Sequence, residues 1–320
     1  MEAWMRVLRI TLSTKNTAGG KVWRKVIEDN DNGVGLNISI SGDKYMSTLK
    51  DACSIKISNL NYADIIEIVA GKFYNVKIEC GYKSTSTFTI FDGGVMYITN
   101  LRESVETNTV TILCASHLVA TYGQQRMNLS FNSGLNLYSV INFICKAGGI
   151  TNPNVSTQFK KKIIEDIENC DTQNVADWIA GKVRENGSYI TSSDCIGNSY
   201  LTMFDASKSD CRVIPLNVEN MIFTNGFPKM TTEGVTFSVL PIFQFQCGDT
   251  LRIDNSIIQI DVQSQSDVTK NFAALLDQDG LYIVMQMHYE LQNRGNDFYI
   301  QMNAKTRSRI SAYLQRSSRK

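Results

Sequence analysis

The sequence predicts a mainly β chain with an α+β insertion. Two similar antiparallel β-barrel domains, residues 1–118 and 211–304, flank a small α+β module at 119–210, and a basic tail occupies 305–320. Three observations carry this prediction. Short β-branched or alternating segments, separated by turn residues, fill the first and last thirds of the chain. Helical periodicity is concentrated between them. One pattern also occurs twice: an apolar segment reaching Cys80-Gly81, a turn at Asp92-Gly93-Gly94 and two further strands return as Cys247-Gly248, Asp279-Gly280 and two more strands. Gly81, Asp92, Gly93, Gly248, Asp279 and Gly280 are therefore read as turn residues of a duplicated barrel unit, since glycine readily takes the positive φ that tight turns need.

Taken in order, residues 6–12, 22–28, 34–41 and 53–58 read as antiparallel strands broken by Gly- and Asn-rich turns. Asn61 then caps a short helix with Ile65, Ile66 and Val69 on one side, closed by Gly71. Strands follow near 74–80, 86–91, 95–101 and 109–115, enough for a small barrel without exposed edges. Beyond His117, Leu135, Tyr138, Val140, Ile141, Ile144 and Cys145 recur with helical spacing up to Gly148-Gly149, and Asn174 to Arg184 repeats the theme around Val175, Trp178, Ile179 and Val183. Strands near 188–191 and 199–204 complete the inserted module.

From about residue 211 the β texture resumes. Val213-Ile214, Met221 to Phe223, Val235 to Val239 and Ile242 to Phe245 are strand candidates, punctuated by Pro215, Pro228 and Pro241, which cannot donate to a ladder. Strands at 249–253, 257–262, 281–289 and 298–303 complete the second barrel, with a polar loop and a short helix at 263–278.

Several function classes lose their sequence support. HExxH, P-loop, GxSxG and GxGxxG motifs are missing, and the two histidines, His117 and His288, stand 171 positions apart. No carboxylate pair stands out as a glycosidase couple; Asp64 and Glu67 share a helical face that reads as solvated. The eight cysteines are never closer than 16 residues, which excludes CxxC metal or redox spacing, and they read as reduced core thiols. No catalytic, cofactor-binding or metal-binding residue is assigned. No run approaches the roughly 18 to 20 apolar residues of a membrane span, and the start alternates like a strand instead of a signal peptide, so a soluble chain made in a cytoplasm, without membrane insertion, is expected.

The formal charge of +1 hides an asymmetry: the last 16 residues carry six cations and no acid, leaving 26 basic and 31 acidic residues, a net −5, before them. Arg307, Arg309, Arg316 and Arg319 make this tail a possible partner-binding segment for an acidic protein or nucleic acid. A frayed, solvated terminus and a short amphipathic helix built on Ile310, Tyr313 and Leu314 are the other readings.

Several stretches together resemble the baseplate hub proteins of contractile-tailed bacteriophages and related tail-spike carriers. They are Gly71 to Tyr82, Phe91-Asp92-Gly93-Gly94 through Thr99, Gly226 to Val235, Gln246-Cys247-Gly248-Asp249, and Gly295-Asn296-Asp297-Phe298 with Ala304. The resemblance implies a structural virion protein and not an enzyme: a homotrimer whose paired barrels form a pseudo-sixfold ring between a hexameric tail tube and a trimeric central spike. Three chains with two equivalent faces present six. Other baseplate wedge proteins are possible neighbours, and genomic DNA would pass through the channel without specific binding. The implied location is the virion tail baseplate, after assembly in the host cytoplasm. The alternatives are a tail-tube initiator or distal tail protein, a secretion-spike core, and, from another class, a tail-associated cell-wall hydrolase.

Overall fold

A computed structural model describes residues 5–14, 24–28, 36–45, 51–71, 73–83, 86–102, 107–116, 127–147, 152–155, 157–172, 178, 181–182, 189–195, 198–204, 213–217, 226–231, 234–260 and 276–306. The fold is mainly β, as expected, and one large sheet organises it.

The first part contributes β1 (Arg6–Thr14), β2 (Arg24–Glu28), β3 (Asn37–Tyr45), β4 (Ala52–Ser58), helix α1 (Tyr62–Ala70), β5 (Phe73–Tyr82), β6 (Phe88–Arg102) and β7 (Asn108–Ala115). These strands alternate buried apolar and more exposed polar residues, the signature of a sheet with one wet face. Their order is β3-β4-β7-β6-β5-β1-β2, all antiparallel. Asn61 caps α1 as expected, its side chain accepting from Asp64 N at 2.7 Å, but the helix buries Ile65 and Ile68 and leaves Ile66 and Val69 exposed. Residues 65 and 68 stand one turn apart, and the sheet meets that stripe.

The middle part contributes β8 (Met127–Phe131), α2 (Leu137–Ala147), β9 (Asn152–Asn154), β10 (Glu168–Thr172), β11 (Tyr189–Cys195) and β12 (Asn198–Phe204). Strands β8 and β10 pair, and β11-β12-β9 form a small sheet. Helix α2 turns Leu137, Val140, Ile141, Ile144 and Cys145 into a separate hydrophobic cluster with Phe159, Ile164 and Cys170. Of the second expected helix, residues 178 and 181–182 are helical and the rest lies outside the described residues.

The last part contributes β13 (Val213–Pro215), β14 (Lys229–Thr231), β15 (Gly234–Val239), β16 (Thr250–Arg252), β17 (Gln259–Ile260), β18 (Leu281–Gln292) and β19 (Phe298–Thr306). The expected strand at 242–245 is instead a turn, with Ile242 N donating to Leu240 O at 2.8 Å; Pro241, without an N–H, breaks the ladder there. The expected strand at 221–223 lies outside the described residues.

The strand order of this part is β14-β15-β19-β18-β16, which repeats β3-β4-β7-β6-β5 strand for strand. The match extends to an irregularity. The β6–β7 ladder slips between Val95 and Tyr97, and the β18–β19 ladder slips between Val284 and Gln286. Each strand thus carries one extra residue, Met96 or Met285, inside the same dipeptide Val-Met. Counting outward from these bulges makes Tyr97 the counterpart of Gln286, Thr99 of His288, Asn100 of Tyr289 and Leu101 of Glu290. Through the neighbouring ladders, Gly42 corresponds to Met230 and Ser41 to Lys229.

The two sets do not close separately into barrels among the described residues. They join edge to edge where β18 pairs antiparallel with β3, from Gln286↔Tyr45 to Gln292↔Ser39. A single hydrophobic core runs beneath both sets and includes Ile40, Ile55, Ile112, Val235, Phe237, Tyr289 and Ile300.

Candidate functional site

The register of the large sheet sorts its side chains onto two faces, because residues directly opposite across a ladder lie on the same side. The core face is apolar. The other face is a mainly polar band, rich in hydroxyl and amide side chains, that crosses the join. Thr236 and Ser238 of β15 stand opposite Asn303 and Gln301 of β19, which stand opposite Gln286 and His288 of β18. Glu290 and Gln292 continue to Ser41 and Ser39 of β3, then to Ser54 and Lys56 of β4, and then to Leu113 and Thr111 of β7. Tyr97 and Thr99 of β6 end the band. Its charged members among these are Lys56 and Glu290, to which Asp43 of β3 adds a second acid opposite His288.

At the join the polar face holds a compact cluster. His288 Nδ1 lies 2.9 Å from Asp43 Oδ1, and Nε2 lies 3.2 Å from Glu290 Oε1. Ser41 Oγ donates to the same Glu290 oxygen at 2.8 Å. Each ring nitrogen of His288 thus faces a carboxylate oxygen. The Asp43 and Ser41 contacts tie β18 to β3 on this face. Further links cross the join at its end: Asn293 Oδ1 accepts from Ile38 N at 2.8 Å, and its amide donates to Leu36 O at 2.8 Å.

The residues expected in turns divide between two environments. Gly248 and Gly280 have φ of +96° and +67°, and Asp279 precedes Gly280 in the turn entering β18. Gly81 lies inside β5, paired with Val7. Asp92 and Gly93 lie inside β6, opposite Lys77 and Val76, and the expected break at 92–94 does not exist. The glycine there meets a packing need: a Cβ on Gly93 would sit 2.8 Å from both Ala115 O and the Phe91 ring. Arg307, Arg309, Arg316 and Arg319 lie outside the described residues. Asp64 and Glu67, read as solvated, both accept from Lys25 Nζ of β2 and pin α1 to the sheet.

Several buried groups titrate abnormally. Burial pushes the Asp51 carboxyl up to about 6, against the pull of Lys44 and of a hydrogen bond from Tyr45 N at 3.2 Å. Burial also pushes the Cys53 and Cys145 thiols up to about 12, and Cys80, Cys114 and Cys247 upward as well, so these sulfurs stay protonated and unreactive at neutral pH. Among the described residues no group of three or more acidic, cysteine or histidine side chains is arranged to hold a metal, and no helix is long and apolar enough to cross a membrane.

Solved structures with a similar fold include two tail proteins and a chain of a PdpA-VgrG complex. The 43 kDa tail protein of prophage MuSo2 from Shewanella oneidensis superposes with a TM-score of 0.56 at 10% identity, over 95% of this chain and 99% of that one. The tail protein from Neisseria meningitidis MC58 gives 0.53 at 9%, over 94% and 96%. A chain of the half-lidded Francisella PdpA-VgrG complex gives 0.53 at 9%, over 95% of this chain and 58% of that one. At such identities the likeness establishes the fold alone. No curated protein matches the sequence. The family model for baseplate hub gp41, however, matches residues 7–304, which reaches every strand of the duplicated sheet, and the chain therefore belongs to the baseplate hub gp41 family.

Proposed function

We propose that this chain is the trimeric hub of a phage baseplate: three copies build a pseudo-sixfold ring that joins the hexameric tail tube to the trimeric spike, with the polar face of the sheet turned toward a channel for DNA. The observation that carries this reading is the strand order β3-β4-β7-β6-β5 repeated as β14-β15-β19-β18-β16, down to the Val-Met bulge. A chain with two look-alike sheets converts threefold symmetry into an approximate sixfold one. The hydroxyl and amide band supports the channel assignment, because a cationic lining would hold DNA through its phosphates. The likeness to a chain of the PdpA-VgrG complex supports a spike as partner.

The role is structural and not enzymatic. The chain is organised as barrel-like halves 1–118 and 211–304 around the 119–210 module, with 305–320 as a partner-binding tail carrying Arg307, Arg309, Arg316 and Arg319. Wedge proteins are further neighbours, and assembly takes place in the host cytoplasm before incorporation into the virion tail. Electron microscopy of the isolated baseplate tests the reading. Three copies in one ring, each contributing two superposable sheets, is the expected result. Six copies would move the protein to the tube-initiator or distal tail reading.

A further inference from the structure

The ladder that joins the two halves ends at the bulge of β18, and a buried acid sits at that end. Tyr45 is the last residue of β3 to pair across the join, opposite Gln286, and its N–H donates to Asp51 Oδ1 at 3.2 Å. Asp51 also closes the first hairpin onto β7: its N–H donates to Ser116 Oγ, and its carbonyl accepts from Ser116 N, both at 2.9 Å. From the second half, the turn around Gly248 is fastened to β18 beside the bulge. Gly248 N donates to Val284 O at 2.8 Å, and Val284 N donates to Asp249 O at 3.0 Å. The Cys247 thiol of that turn and the Tyr289 hydroxyl of β18 both feel the charge of Asp51. Asp51, 6% exposed, thus stands where β3, the end of β7, β18 and the 246–249 turn converge.

We infer that this end of the join is a proton-operated latch: it is shut while Asp51 carries a proton and loosens, from the Tyr45–Gln286 pair inward, when Asp51 ionises. A buried carboxylate is costly unless a cation or water compensates it. Lys44 of β3 attracts it, but burial outweighs that attraction. The other groups around it add no positive charge: Asp43 and Tyr45 of β3, Cys53 of β4, Ser116 beyond β7, Tyr289 of β18, and Cys247 and Asp249 of the turn. Hydration is then the route open to the ionised form, and it requires the hairpin mouth or the turn to move away. The direction follows from the proton affinity, which burial raises from the ordinary 3.8 to about 6. Closure is favoured in full below pH 3.8, and the advantage is lost as pH rises through about 6. The far end of the ladder is tied differently, by the uncharged Asn293 amide to Ile38 N and Leu36 O. The latch works within one chain and is independent of the ring proposed above.

Amide hydrogen exchange on the full-length protein tests the latch, with rates corrected for the intrinsic pH dependence of exchange. Segments 43–45, 51–53 and 282–288 should open about tenfold more often at pH 7.5 than at pH 5, the ratio that proton affinities of 3.8 and about 6 give over that interval. Segments 36–40 and 289–293, at the far end of the ladder, should change by less than about twofold. Asp51→Asn keeps an oxygen for Tyr45 N and cannot ionise, so its opening should be the same at both pH values. Lys44→Met removes the attraction and should move the pH at which the rise levels off upward, a shift that a merely structural role for Asp51 would not produce. His288 borders the same ladder on its polar face, and His288→Thr should leave the rise in place. A parent without the rise, a rise that survives Asp51→Asn or disappears in His288→Thr, a plateau unmoved in Lys44→Met, or a pH effect spread evenly over the whole chain overturns the inference.

Discussion

The two halves of the sheet share a strand order and a bulge, yet they spend their edges differently. The β18 half is finished within the chain: its edge beyond the bulge is covered by β3, and Tyr289 on that edge is completely buried over Gly42. The β6 half stops short, and Asn100, at the position corresponding to Tyr289, is exposed. The contrast teaches that the repeated feature is the backbone plan, while the side chains record whether a strand of the same chain covers the edge. Strand length follows the same logic. Strand β5 runs for ten residues where its counterpart β16 has three, because β5 also pairs antiparallel with the long strand β1, whereas β16 receives only the short parallel strand β13.

The largest expected break in this comparison is at Tyr289. Truncating a fully buried aromatic ring removes its contacts and leaves a cavity, so Tyr289→Ala should cost about 3–5 kcal/mol. Asn100→Ala, at the matching place, should stay within about 0.5 kcal/mol in the single chain. Urea unfolding of both variants measures the difference. Equal effects would mean that the two positions are not differently used and that the junction through β18 and β3 is no more consolidated than the open edge.

The next effect separates the hairpins. The first set closes β3 to β4 next to a buried acid: Asp51 N donates to Ser116 Oγ, and Ser116 N donates to Asp51 O, both at 2.9 Å. The second set closes β14 to β15 at Gly234, with φ +147° and a would-be Cβ 2.3 Å from Ala304 O. An acid whose affinity for protons rises on folding favours the folded state while it stays protonated. The contribution is therefore present at pH below the ordinary value of 3.8, and it is lost as pH rises through about 6. The full loss is about 3 kcal/mol, taking ~1.4 kcal/mol per tenfold change in proton affinity. Asp51→Asn should flatten the decline in stability between pH 4 and 7, measured as the urea midpoint across that range. A decline of the same steepness in the variant would assign it to other groups.

A smaller effect is expected at Gly42. A methyl group there would sit 2.3 Å from Tyr289 Oη and 2.7 Å from Ala52 O, so Gly42→Ala should cost about 1–3 kcal/mol through overpacking. At the corresponding Met230 of the second set, the volume-conserving change Met230→Leu should cost less than about 1.5 kcal/mol. Thermal unfolding of the two variants gives the comparison directly.

How far the sequence reveals this can be judged from particular residues. The strands alternate so regularly that β1, β4, β5, β7, β18 and β19 are visible from period two alone, and Asn61 announces α1. The duplication is visible as well, but the sequence suggests the wrong alignment. Asp92-Gly93 and Asp279-Gly280 look alike and are not equivalent: the first pair lies within β6, where Gly93 makes room for Phe91 and Ala115 O, and the second lies in a turn. The true anchor is Val95-Met96 with Val284-Met285, an inconspicuous dipeptide whose meaning depends on a ladder slip. The polar band was legible strand by strand, as the outward half of each alternation. That it forms one surface depends on the pairing of β18 with β3, about 250 residues apart, which no local pattern encodes. His288 shows the same limit, since its partner Asp43 is brought to it by that pairing.

His288 also gives the smallest and sharpest of the comparisons, because it is the chain neighbour of Tyr289 and points to the opposite face. Its counterpart in the first set is Thr99, so His288→Thr makes the second set resemble the first. The imidazole and Asp43 are 33% and 36% exposed, and ion pairs so open to water contribute little after screening and side-chain ordering are included. The expected loss is below about 1 kcal/mol, smaller still at high salt, read by urea unfolding at two ionic strengths. Adjacent residues would then differ several-fold in their effect on stability, with the core face of the junction holding β18 to β3. A loss at His288 as large as that at Tyr289, and insensitive to salt, would mean that the carboxylate cluster itself fastens the two halves together.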